Sequence, residues 1–195
     1  MPRLSKKQQA ELDETNAQYW QALGKFIEDF AGAEYAMSEV LRKYAGVSQH
    51  VGKAIFSGTK SDAAIKLIER IWAVHDPGET VKAELRSAFA QFRAINNVRN
   101  IAIHYGSHKR PEKGRFVSTL RNALTPDRVN EARVSSAILG QMSDDLFKIS
   151  VHCWRRAFRL KPNRQDSGIL RRAWRYKPPP NQNQSTKKSN RKDHD

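Results

Sequence analysis

Cysteine is nearly absent from this chain of 195 residues. Cys153 is the sole thiol, which excludes an internal disulfide and a cysteine-based metal cluster. Long apolar runs are missing as well, none approaching the ~20 residues that a membrane helix needs. No glycine-rich phosphate loop, paired catalytic carboxylates or Ser/His/Asp arrangement is found, so the common nucleotide-hydrolase, glycosidase and serine-hydrolase signatures do not apply. Met1 to Lys7 lead into glutamines and glutamates without a hydrophobic stretch, so no signal peptide and a cytoplasmic location are expected. Acidic side chains are scarce relative to basic ones: 20 Asp and Glu against 35 Lys and Arg leave a net charge of +15.

That charge is unevenly placed. Residues 155–195 hold 13 Lys/Arg and 3 Asp/Glu, so +10 sits there and +5 on the preceding 154 residues. A basic end of this kind attracts polyanions through its field and through counterion release, which makes nucleic acid the expected partner; a merely solubilising tail is the alternative. The length suits one domain, placed at 1–160, followed by a tail at 161–195. In the tail, Lys161-Pro162-Asn163 breaks the preceding pattern. Arg171, Arg172, Trp174 and Arg175 are candidate RNA contacts, with Trp174 and Tyr176 either stacking on bases or incidental. Pro178-Pro179-Pro180 and the polar run after it read as disordered.

The remainder reads as all-α, a bundle of four to five helices. A long helix starting between Ser5 and Thr15 and ending near Tyr44 carries the stripe Leu23, Phe26, Phe30, Ala33, Met37, Leu41, Tyr44, with Gly46 as its stop. Glu34 lies at the edge of that stripe and needs a partner. Ser48 caps a short helix through Ile55. Thr59 or Ser61 caps another, with Ala64, Ile65, Ile68, Ile71 and Trp72 on one face. Asp76-Pro77-Gly78 then turns the chain. Residues 107–134 form an irregular segment, with Phe116 to Leu120 as a short strand and Thr125-Pro126-Asp127 as a helix start. The last long helix, Ser136 to Leu160, is apolar on two sides. Ile138, Met142, Leu146, Ile149 and Cys153 form one face; Phe147, Val151, Trp154 and Phe158 form the other. Such a helix is central to a bundle or shared with a second subunit.

The most informative stretch is Asn97 to His104. From Val81 to Ile95 the residues Val81, Leu85, Ala88, Phe89, Phe92 and Ile95 repeat at three- and four-residue spacings, the stripe of a helix packed on a core. Projected at about 100° per residue, Asn96, Arg99, Asn100 and Ile103 continue that stripe and His104 follows at its edge. A face that buries phenylalanine turns into amide, guanidinium and imidazole. Desolvated polar groups are costly unless hydrogen-bonded, so this row is a satisfied network, the wall of a cleft, or both. Arg followed by His after a gap of four to six residues is a weak signal alone, since chance gives about two such pairs. Arg70 and His75 are the other pair, but Arg70 points off its helix's stripe and reads as solvated.

Arg99-Asn100-x-x-x-His104, at the end of an inner helix and with Ala33-Glu34-Tyr35-Ala36 on the preceding long helix, resembles the HEPN superfamily. The resemblance covers roughly Asp29 to Leu160. It implies a small helical bundle and, in many members, a metal-independent endoribonuclease that works as a homodimer with two motifs facing across a cleft. Members of this kind act in toxin–antitoxin or phage-defence systems, so an antitoxin-like protein partner is implied too. Other members are non-catalytic modules that bind RNA, a nucleotide or a protein. Under the first reading His104 is the acid–base group, Arg99 holds phosphate oxygens, and Asn100 orients the imidazole or the phosphate, with Asn96 a lesser contact. No cofactor and no metal are expected. Rival readings are an ordinary polar helix end, an internal Arg99–Glu34 ion pair, and a His104–His108 metal site, which Gly106 argues against. Arg99 and His104 sit about 140° apart on a continuous helix. Sharing one phosphate therefore requires the helix to loosen near Ile103, or one residue to act across a dimer.

Overall fold

The computed structural model describes residues 5–110, 114–119, 131–161 and 163–179. Six α-helices and three short strands occur among them: α1 (Lys6–Tyr44), α2 (Gln49–Phe56), α3 (Ser61–Ile71), α4 (Glu79–Tyr105), β1 (Ser107–Arg110), β2 (Gly114–Ser118), β3 (Glu131–Arg133), α5 (Ser136–Phe158) and α6 (Arg164–Arg171). The protein is an all-α bundle carrying a small antiparallel sheet of order β1-β2-β3.

Local chemistry sets the helix starts. The Ser5 hydroxyl accepts from the Gln8 N–H while the Gln8 side chain returns a bond to Ser5, a reciprocal cap that places the start of α1 at the early end of the expected range. Ser48 and Ser135 cap α2 and α5 through their hydroxyls alone, without a return bond. Neither expected cap serves α3. Lys60 is its N-cap and makes no side-chain bond, because Ser61 is already helical and its hydroxyl is given to Glu34.

Helix directions follow from side-chain pairs. Tyr35 meets Trp154 and Lys43 lies over Phe158, so α1 and α5 run parallel. Glu84 bonds Arg156 and Gln91 bonds Asp145, so α4 runs antiparallel to both. Phe26, Phe30, Met37, Leu41, Phe89, Phe92, Leu146 and Ile149 fill the space between the three, all at most 2% exposed. The expected stripes of α1 and α4 are thus core, and so is the first face of α5. The second face of α5 is mostly uncovered, with Phe147 52% and Phe158 39% exposed.

Two segments differ from the sequence reading. The start of 107–134, read as loop, is strand: Ser107↔Val117, His108↔Phe116 and Lys109↔Arg115 pair β1 to β2, and Phe116↔Arg133 pairs β2 to β3. Gly106 and Gly114, both with φ between 60° and 90°, give the chain its turns into and within the hairpin. The helix start expected at Thr125-Pro126-Asp127 lies outside the described residues, as does the polar run from Pro180 onward.

The second difference concerns the boundary at 160/161. Asn163 caps α6 through the Asp166 N–H, and residues 173–177 then cross α5 and α4, with Tyr176 only 5% exposed. Packing therefore extends past Leu160 to at least Tyr176. The reason is polar: Asp145, Lys148 and His152, spaced three and four apart on α5, form a buried row beside its apolar face. That row is covered by the segment the sequence assigned to the tail.

Candidate functional site

The last turns of α4 leave the shelter of α1 and α5 and meet β2, whose Val117 is fully buried. The buried direction shifts accordingly. Val98 is 4% exposed, while Ile103, on the extrapolated stripe, is 49% exposed. The polar row is thereby carried to the rim of the core: Asn96, Arg99 and Asn100 are half-buried and His104 is exposed.

Arg99 is the constrained member. Its guanidinium carbon lies 5.0 Å from the centroid of the Phe30 ring, a cation–π contact in a partly desolvated place. Nη1 donates to the Asn100 Oδ1 at 3.1 Å. Nε is buried without a hydrogen-bond partner. Glu34 does not pair with it, being engaged by Ser61. Among the described residues no carboxylate forms an ion pair with Arg99. The charge and part of the donor fork thus remain for an anion from outside. Arg70, the decoy of the same spacing, is exposed on α3.

His104 is not brought to Arg99. α4 remains α-helical through Tyr105, and the Gly106 N–H still donates to the Ala102 carbonyl at 3.0 Å. The loosening considered near Ile103 does not occur, because the helix ends by an ordinary i→i−4 bond onto a left-handed glycine. The His104 ring sits edge-on to Tyr105 at 6.4 Å. His108 follows on β1, 4.0 Å from Glu131. No group of three His, Cys, Asp or Glu side chains suited to a metal ion occurs among the described residues.

The four tail candidates lie elsewhere, on the face formed by α5 and α4. The Trp174 Nε1 donates to the Ser87 hydroxyl at 3.0 Å, and the Lys148 ammonium lies 4.0 Å from the centre of its indole. The Arg175 backbone N–H donates to Asp145 at 2.9 Å and its guanidinium pairs with Asp144. Lys148 also donates to the Arg172 carbonyl, leaving the Arg171 and Arg172 side chains exposed. Trp174 and Arg175 thus take part in holding the chain down, while the Arg175 side chain stays more than half exposed.

Two features escaped the sequence reading. Near the motif, Arg115 of β2 lies 4.1 Å from the Tyr19 ring and 5.7 Å from the Trp20 ring, and donates to Asn16 and to Ser107, which lies three residues beyond His104. The other is a cleft of about 1050 Å³ at the opposite end of the bundle, between the last turns of α1 and α5 and the first turn of α4. A signal existed for the second: Arg155, Arg156 and Arg159 follow one another within five residues at a helix end. No protein-family model matches this chain, and neither curated proteins nor solved structures give a match.

Proposed function

We propose that this protein is a HEPN-like endoribonuclease. It cuts RNA as a homodimer and without a metal ion, in a toxin or phage-defence role restrained by an antitoxin-like partner. One observation carries the reading: the half-buried Arg99 guanidinium is oriented by Asn100, has a buried Nε with no acceptor, and meets no carboxylate among the described residues. A planar cation held in that state suits a phosphodiester. The 2′-oxygen attacks the adjacent phosphorus, the O2′–P bond forms and the P–O5′ bond breaks. His104, solvent-exposed, takes the proton from the 2′-OH. Arg99 donates to the non-bridging oxygens as their charge rises. With about 140° between the two residues on one unbroken helix, His104 of one copy serves the phosphate held by Arg99 of the other. The imidazolium returns a proton to the departing 5′-oxygen. Exposed Phe147 and the Tyr35–Trp154 pair on the outer side of α5 and α1 offer apolar area for self-association.

The continuity of α4 also favours a second reading, a non-catalytic module in which Arg99 and Asn100 bind RNA and His104 does no chemistry. Incubation of the protein with a mixed RNA pool in EDTA separates the two. Cleavage to 2′,3′-cyclic phosphate ends, with DNA spared, is expected. Arg99→Ala and His104→Ala should each abolish it while keeping the helical circular dichroism. RNA bound but left whole selects the module, and equal cleavage by both variants refutes the assignment.

A further inference from the structure

The cleft at the far end of the bundle lies about 27 Å from Arg99, measured along α4 from Val81. We propose that it is a binding site for a nucleoside polyphosphate, with Lys43, Arg155 and Arg159 on the phosphates and the base against Phe158. The proposal is independent of the RNA-cleavage reading.

Charge is the first argument. Four cations line the cleft against one carboxylate, Asp76. Asp76 is already engaged by Lys82 at 2.9 Å and by the Gly78 N–H at 2.8 Å, and Arg156 by Glu84. Lys43, Arg155 and Arg159 have no carboxylate partner among the described residues. Their simplest alternative role is to offset the negative ends of α1 and α5, which, being parallel, both finish here. Two helix ends amount to about one negative charge, which leaves roughly two positive charges unanswered.

Two further strains converge on the same place. The Arg155 Nε is buried without an acceptor, a state that a bound oxyanion would relieve. Arg159 adopts φ 54° and ψ 34°, the left-handed conformation in which glycine is favoured and a β-carbon is penalised. Helix termination alone would be better served by glycine, so the side chain at this position has another use.

Size and surface select the ligand class. A concavity of this volume, bounded by three helix ends, suits a small molecule better than a long strand that needs an open track. Phe158, stacked on Trp154, lies in it with the Lys43 ammonium over its ring 4.7 Å from the centre, so a base taking that place would release the lysine to the phosphates. Exposed Val74 (77%) and Leu160 (55%) supply apolar surface that a base would cover.

Titration calorimetry on the full chain tests this with ATP, inorganic tripolyphosphate, adenosine and a ten-nucleotide single-stranded RNA. ATP should bind most tightly, tripolyphosphate more weakly and adenosine least. Lys43→Glu should raise the ATP Kd at least tenfold. Arg159→Gly should do the same while raising the melting temperature, because it removes the left-handed β-carbon; this variant keeps the test valid should a charge reversal unfold the protein. Arg99→Ala should leave ATP affinity unchanged. Equal ATP affinity in wild type and Arg159→Gly overturns the site. Tripolyphosphate binding as tightly as ATP overturns the nucleotide, as does binding of RNA alone.

Discussion

Truncating Asp145 to alanine should release the C-terminal strap from the bundle. Asp145 is 1% exposed and its two oxygens take three donors: the Arg175 N–H at 2.9 Å, the Tyr176 N–H at 2.8 Å and the Gln91 amide at 2.8 Å. Hydrogen bonds to a charged acceptor are worth about 1.5–3 kcal/mol each, so simple addition would give up to roughly 9 kcal/mol. That sum overshoots, because loss of the carboxylate also removes its desolvation penalty, and because the strap can peel away and let water satisfy both N–H groups. The loss is therefore capped by the docking energy of the strap, and about 3 kcal/mol is expected. For a chain of this size that lowers the Tm by about 6–12 °C. Asp145→Asn should be nearly as damaging. Tyr176 and Gln91 both donate to Oδ2 and Arg175 to Oδ1, so an amide nitrogen in either position faces a donor. Thermal melts followed by circular dichroism give the stability, and limited trypsin digestion reports the strap through Arg171, Arg172 and Arg175. Ending the chain at Leu160 should cost at least as much as Asp145→Ala, whereas the sequence alone predicts almost no change. An Asp145→Ala protein that melts within about 1 °C of wild type, with an unchanged digestion pattern, would refute the clasp.

Two further expectations rest on buried titratable groups. The His152 side chain sits beneath Trp174, and burial, reinforced by Lys148, Arg155 and Arg156 and opposed by Glu84, pulls its pKa down to about 4. The unfolded chain then binds more protons below pH 6.5, so stability falls as pH drops from about 6.5 towards 4. At pH 5 the loss is about 2 kcal/mol; melts of wild type and His152→Gln across this range should show a slope in the former that the latter lacks. Burial likewise pushes the Cys153 thiol up to about 12. Native protein should react with a thiol reagent only as fast as it opens, and rapid labelling at pH 8 without loss of structure would contradict that burial.

The apolar stripes of α1, α4 and α5 were readable because each repeats at helical spacing for four turns or more, and the short α2 because Ser48 stands at its start. Of the hairpin at 107–118 only the second strand was, in part, at Phe116 to Ser118; the first consists of Ser107, His108, Lys109 and Arg110, residues with little strand preference whose pairing depends on the partner Phe116 and Val117. The strap was missed for a different reason. Its hydrogen bonds to Asp145 and Lys148 use backbone N–H and carbonyl groups, which carry no compositional signal, and Asp145, Lys148 and His152 look like ordinary polar positions until their common face is drawn. At the motif, spacing identified Arg99 and Asn100 as neighbours, and they are hydrogen-bonded. It did not foresee that the core turns away beneath them, leaving Ile103 outside.

The parallel run of α1 beside α5 has a consequence for how the chain reaches its fold. These two helices are joined by more than ninety residues, and much of the stripe of the first stays uncovered until the second arrives. Most helical bundles assemble from neighbours along the chain and fold in microseconds to milliseconds. Here the principal packing is between distant segments, so loop closure precedes any reward from burial and folding should be slow for an all-α protein. The same arrangement makes the two halves mutually dependent. A chain cut between β1 and β2 would still bring α1 and α4 together with α5, so severed halves should reassemble, whereas each half alone would leave the α1 and α5 faces that pack on each other uncovered.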